Sequence, residues 1–338
     1  MSIYESIEGL EQSIIEGLRT TLETEGKNIA LDVIRKELED SPFLRFFELS
    51  QGSPAGDVYQ VDTTKIASNP TQHYETARVA SIVSANVPVW LWGQAGTGKT
   101  SIAQSIAKML DLEFYPMQKI MDEFELKGFV DANSRFVPTP LYEAMKNGGL
   151  LFIDEIDASV PEALILINTA LANNFMRFAD ETVYAHKDFR VIVAGNTLGK
   201  GGNNSYARNK IDSATLDRFV PIEIGYDEKI ELLITNGDRE LVYFVALVRI
   251  EMARTKLDHV ISYRALSHYK KFESFGADFL IENVLFKTLS LEDITSIARS
   301  LSRVIKETDN DYKWKNNKVG KQLQTYLSNK GVVVDDTN

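Results

Sequence analysis

At 338 residues the chain is long enough for about two domains and a large core. A hydrophobic fraction of 44% with 25% charged residues is ordinary for a soluble globular protein, and a net charge of −11 disfavours broad attraction to DNA or an anionic membrane, leaving room only for a local basic patch. With no cysteine there can be no disulfide, thiolate zinc site or cysteine nucleophile, and His73, His186, His259 and His268 are scattered without ligand spacing.

Residues 1 to about 40 read as helix, with Ile3, Ile7, Leu10, Ile14 and Leu18 at helical spacing and Glu5, Glu8, Glu11 and Glu16 elsewhere on the surface. Such a stripe packs on its own core or contacts another subunit. The segment lacks the basic start and apolar run of a signal peptide, and no stretch approaches the roughly 18 uninterrupted apolar residues of a membrane span. A cytoplasmic location is expected. Residues 51–57 are turn-rich, so 1–55 reads as a helical segment and linker.

Residues 56–226 alternate apolar runs with helical segments, which predicts an α/β fold: a parallel sheet covered on both faces in an αβα sandwich. The first run, Val87–Trp92, opens directly into Gly93-Gln-Ala-Gly-Thr-Gly-Lys-Thr100, which fits the phosphate-loop pattern G-x-x-x-x-G-K-[ST]. Glycines at 93, 96 and 98 let backbone N–H groups curl around phosphate oxygens, and the helix starting near Lys99 adds its positive end. Gly93, Gln94, Ala95, Gly96, Thr97, Gly98, Lys99, Thr100 and Ser101 form the expected cradle. In it Lys99 reaches the β and γ phosphates of ATP, and the Thr100 hydroxyl ligates Mg²⁺.

Glu113–Met117 is a further expected strand. Leu150–Ile153 is another and ends in Asp154-Glu155, about 55 residues after the loop. Asp154 suits the Mg²⁺ shell and Glu155 the polarisation of an attacking water; Asp157 reads as a supporting carboxylate. Phe189–Ala194 ends in Gly195-Asn196, where a neutral amide can bond both the γ-phosphate and the water. Arg218 precedes the strand Val220–Ile224, and its planar, permanently charged guanidinium suits the charge of a transferring phosphoryl group. A surface salt bridge, with Asp217 for example, is the plainer alternative.

Residues 227–306 read as helices, clearest at Leu241–Ala253 and Leu291–Val304, and make a smaller helical lid. Arg264 stands on one of them, either as an ordinary exposed arginine or as a lid contact to the γ-phosphate. Residues 307–338 read as a polar, partly basic tail. Its Lys313, Lys315, Lys318 and Lys321 stand among Tyr312, Trp314 and Tyr326.

In this order the pieces resemble the AAA+ ATPases over roughly residues 60–306. The resemblance implies Walker A at 93–100, Walker B at 150–155, sensor 1 at Asn196, an arginine finger at Arg218 and sensor 2 at Arg264. Ala194–Gly202, Tyr206-Ala-Arg-Asn and Asp212–Phe219 look like the MoxR-type branch, most like the cobaltochelatase ATPase subunit and its relatives, phage-encoded ones included. Lys127–Asp131 through Phe136–Tyr142 is similar to that branch's hairpin insert before Walker B. The family implies a hexameric ring in which Arg218, with Arg208 a second candidate, acts on the neighbouring subunit's ATP. It also implies a protein partner to remodel or load, often one with a metal-binding von Willebrand-type domain; no stretch here reads as such a domain. The competing expectation is a nucleic-acid motor or a restriction or phage-defence NTPase. Lys200, Arg208, Lys210 and the lysine and aromatic tail motivate it, because such mixtures can bind single strands.

Overall fold

The computed structural model describes residues 72–199, 211, 213–304 and 317–334, all within one compact unit, Tyr59–Asn338. The N-terminal helix and linker, the basic loop residues Lys200, Arg208 and Lys210, and Tyr312 and Trp314 lie outside the described residues.

Helix α1 (Thr76–Ser84) leads into β1 (Val89–Trp92), α2 (Lys99–Met109) and β2 (Phe114–Met117). A short α3 (Phe124–Lys127) and the hairpin β3 (Phe129–Val130) and β4 (Phe136–Val137) follow. Next come α4 (Pro140–Asn147), β5 (Gly149–Ile153) and α5 (Pro161–Asn173). A second hairpin, β6 (Phe175–Arg177) and β7 (Thr182–Tyr184), precedes β8 (Phe189–Gly195), α6 (Ser213–Leu216) and β9 (Val220–Glu223). The strands β2-β5-β8-β1-β9 form one five-stranded sheet, every neighbouring pair parallel.

These are the five runs anticipated from the sequence. They form strands because the sheet is buried on both sides, so successive apolar residues serve opposite faces. Leu150, Phe152, Ile192 and Ala194 pack with Val79 and Val83 of α1 and Ile102 and Ile106 of α2. Leu151, Ile153, Val191 and Val193 pack on the other side with Leu141 and Met145 of α4 and Leu164 and Ile167 of α5. Thr139 caps α4 by accepting from the Tyr142 N–H, with Pro140 at the first position of the helix. The two hairpins share an aromatic joint: Tyr142 stands edge-on to Phe136 at 4.9 Å and to Phe178 at 5.0 Å between ring centroids.

The helical part holds α7 (Glu228–Ile234), α8 (Arg239–Thr255), α9 (Tyr263–Lys271), α10 (Ala277–Leu280), α11 (Leu291–Val304) and α12 (Lys318–Asn329). Its core joins Leu241, Phe244, Val245 and Val248 of α8 to Ile297, Ala298 and Leu301 of α11. The polar tail expected over 307–338 is corrected here, because α12 belongs to this core through Val319, Leu323, Tyr326 and Leu327. Those four fall at i, i+4, i+7 and i+8, one helical face hidden among lysines. Asn317 caps the helix by accepting from the Val319 and Gly320 N–H groups, and Lys318 pairs with Glu273. Tyr326 is only 3% exposed, so its ring is withdrawn from any role in base stacking. Among the described residues no helix is long and apolar enough to cross a membrane.

His259, in the loop between α8 and α9, is pinned from both sides: Nε2 lies 2.6 Å from Leu285 O and Nδ1 2.6 Å from Thr288 Oγ1. A carbonyl only accepts, so Nε2 carries the proton and Nδ1 accepts from the hydroxyl. Burial holds the imidazole pKa below its ordinary value, against the opposing effect of the Leu285 bond. The unfolded chain therefore binds the proton more readily than the folded one between the unfolded value, about 6.5, and the lower folded one. Stability from this site is present above about pH 6.5 and is lost as pH falls through that window. Urea unfolding at pH 7.5 and 5.5 should show His259→Gln losing less stability on acidification than wild type; equal losses would exclude the site as a source of acid sensitivity.

Candidate active site

The site forms where β1, β5 and β8 end. Beyond Trp92 the chain turns through Gly93 (φ 142°) and Gly98 (φ 90°) into α2. A Cβ on Gly93 would stand 2.4 Å from Ile224 O, so only glycine lets the loop pass this close to the end of β9. Lys99, almost fully buried, donates through Nζ to Gly93 O (2.8 Å), Gln94 O (2.9 Å) and Asn196 Oδ1 (3.3 Å). The lysine thus ties the loop to the turn at the end of β8.

Thr100 Oγ1 lies 3.2 Å from Asp154 Oδ2, and Asp154 Oδ1 accepts from the Glu155 N–H at 2.9 Å. Glu155 itself has φ 51° and ψ 38°, a left-handed conformation that a non-glycine residue adopts at a cost of about 1–3 kcal/mol. Asp157 is wholly buried. Its Oδ2 accepts from Asn196 N (3.1 Å), Thr197 N (2.9 Å) and Thr197 Oγ1 (2.9 Å), and so clamps the β8 turn to the turn after β5.

Lys99, Thr100, Asp154, Glu155, Asn196 and Arg264 line one cleft of about 520 Å³, with Ala95, Gly96, Gly98, Ser101, Gln118 and Tyr263 completing its walls. Arg264 reaches it from the first turn of α9. The other members of the expected cradle contribute differently: Gly93 and Gln94 offer carbonyls to Lys99, and Thr97 faces a neighbouring pocket of about 280 Å³. Arg218 is exposed just before β9 and does not line the cleft.

The neighbouring pocket and Gln118 were not legible in the sequence. Gln72, His73, Thr76, Ile230, Ile234 and Tyr263 wall that pocket, brought together from the strap before α1, the first residue of α1 and lid helices α7 and α9. His73 holds the strap in place: Nε2 donates to Gly225 O (3.0 Å), and Nδ1 accepts from the Glu75 N–H (3.2 Å). Two buried polar atoms there, Gln72 Oε1 and Thr76 Oγ1, have no hydrogen-bond partner among the described residues. Buried polar atoms are seldom left so. An acceptor and a hydroxyl fit the edge of a heterocyclic base. Burial pushes the Tyr263 phenol well above its usual pKa, so it stays neutral while its oxygen accepts from the Asp227 N–H at 2.6 Å.

Residues 88–219 match the family described as AAA domain (dynein-related subfamily). An uncharacterized protein of Staphylococcus saprophyticus is 31% identical over 164 residues, covering 43% of this chain and 58% of that protein. A Staphylococcus epidermidis counterpart is 29% identical over the same length and shares. The chain thus spans little more than half the length of these curated relatives. Among solved structures, NtrX from Brucella abortus aligns with 90% of this chain and 75% of its own at 16% identity and a TM-score of 0.46.

Proposed function

We propose that this chain, which carries an AAA-type ATPase domain over residues 88–219, is an Mg²⁺-dependent ATP hydrolase that works at the subunit interfaces of a ring and remodels or loads a protein partner. The observation that carries the reading is the single cleft that gathers Lys99, Thr100, Asp154, Glu155, Asn196 and Arg264 while leaving Arg218 outside. The residues fit the group. Thr100 and Asp154 offer two hard oxygens side by side for Mg²⁺, and Ala95, Gly96 and Gly98 of the glycine loop line the same cleft, as a phosphate cradle requires. The unpartnered Gln72 and Thr76 atoms fit the base. Bound Mg²⁺ neutralises charge on the terminal phosphates.

Each residue then has a part. Lys99 holds the β and γ oxygens, and Glu155 orients the attacking water and takes its proton. Asn196, already bonded to Lys99, senses the γ-phosphate through the same amide. Arg264 brings the lid to the same phosphate. Arg218 serves the cleft of an adjacent copy. The MoxR-like run Ala194–Gly202 and the hairpin before Walker B support a ring that engages a protein. So do the exposed Phe124 on α3, Phe129 and Val130 on the first hairpin, and Phe175 and Tyr184 on the second. Apolar side chains clustered in solvent mark contact surfaces.

Mass photometry of the full-length Glu155→Gln chain, with and without Mg²⁺ and ATP, tests this. Assembly to a six-subunit mass only with nucleotide is expected. A monomer under every condition would overturn the self-assembled ring.

A further inference from the structure

A loop that aims its N–H groups at phosphates turns its carbonyls outward, and those carbonyls need donors of their own. Two of the donors come from the junction between sheet and lid. Tyr226, three residues past β9, donates its hydroxyl to Ala95 O at 3.3 Å. The Tyr263 N–H, at the first position of α9, faces Gly96 O at 3.4 Å. The fit is close: a Cβ on Gly96 would stand 2.5 Å from the Ser262 Cβ.

The Tyr226 ring does not stand alone. The Arg249 guanidinium lies over it, Cζ 3.5 Å from the ring centroid, a stacked geometry that the planar group favours. The same guanidinium pairs Nη1 with Glu231 Oε1 at 2.6 Å and donates Nε and Nη2 to Ile261 O at 2.9 and 2.5 Å. Glu231 belongs to α7, Arg249 to α8, and Ile261 begins the short run that becomes α9 and carries Arg264. Three hydrogen bonds and one face of a single, mostly buried guanidinium thus converge on one point. From it one line runs through Tyr226 to the phosphate loop, and another through Ile261 to the lid arginine.

We propose that Tyr226 is a positioning residue for the phosphate loop and Arg249 its anchor, so that loop shape and the setting of Arg264 form one mechanical unit. The inference rests on the nucleotide-binding reading of the cleft. Tyr226 holds the Ala95 peptide in the orientation that points neighbouring N–H groups inward, and Arg249 keeps Tyr226 from swinging away. A ligand whose phosphates enter the loop should sense both residues. A ligand that occupies only the base pocket should sense neither.

The experiment is isothermal titration of the full chain with Mg²⁺–ATP and, separately, with adenosine, for wild type, Tyr226→Phe, Arg249→Lys and the double variant. Tyr226→Phe removes one hydroxyl, and Arg249→Lys keeps the charge for Glu231 but cannot lie flat on the ring. Each is expected to weaken Mg²⁺–ATP by about 3- to 10-fold, the usual worth of one hydrogen bond, and to leave adenosine within about twofold. The double variant should lose less than the product of the two single losses, because both act through the same contact. Unchanged ATP affinity in both single variants, or equal losses of ATP and adenosine, would overturn the proposal. Multiplicative losses in the double variant would overturn the anchoring role of Arg249. Wild-type chain that binds neither ligand would instead overturn the nucleotide reading beneath it.

Discussion

Glu155→Gln is expected to keep Mg²⁺–ATP bound and to slow hydrolysis by about 10²–10⁴-fold, the range a general base contributes. The amide matches the carboxylate in shape and can take the same left-handed backbone (φ 51°), so neither the turn after β5 nor the Asp154–Thr100 pair should shift. What disappears is the ability to accept the proton of the attacking water. Phosphate release at saturating ATP measures turnover, and equilibrium titration measures binding. Normal turnover in the variant would remove Glu155 from its role, and Asp154 would be the next acid to examine. Lost binding would show that the glutamate supports the cleft and not the chemical step.

Arg218→Ala should have an effect as large or larger, about 10³–10⁵-fold in rate, with nucleotide binding intact. The expectation comes from position. Arg218 is exposed ahead of β9, held by a backbone bond from its N–H to Thr215 O (3.3 Å), and absent from the cleft of its own chain. Thr215 in turn is bonded by Asn168 of α5 at 2.5 Å, so the segment bearing Arg218 is braced by the helix that follows Asp154 and Glu155. On the proposed ring reading, an arginine presented this way acts on the nucleotide of another copy. Mixing Arg218→Ala with Lys99→Ala chains is the decisive assay: each is inactive alone, yet together they can place an intact cleft beside an intact arginine. Recovered ATPase activity in the mixture would establish action across an interface. A binding defect in Arg218→Ala, or no recovery in rings shown to be mixed, would reduce the residue to a structural role.

How much of this was readable beforehand depends on the reach of each contact. Residues 93–100 form their loop from eight consecutive positions, and the glycine requirements are local, so the loop and its turn into α2 were legible from spacing alone. The five strands were legible because a sheet covered on both faces demands continuous apolar runs, and Asp154, Glu155 and Asn196 simply follow those runs. The helix α12 was misread as polar tail because its four core residues are outnumbered by lysines and amides. Composition averages over a face that only docking against α8 and α10 reveals. The pocket beside the phosphate loop escaped for a different reason. Gln72 and Thr76 come from one end of the domain, and Ile230, Ile234 and Tyr263 come from the lid some 150 to 190 residues later, with no motif in either stretch. The stack of Arg249 on Tyr226 is of the same kind. The candidate phosphate loop and the sheet that presents it could be read from neighbouring residues, because short-range backbone geometry and strand periodicity are local properties. The contacts between lid and loop emerge only on folding, because they join side chains whose sole relation is the packing that brings them together.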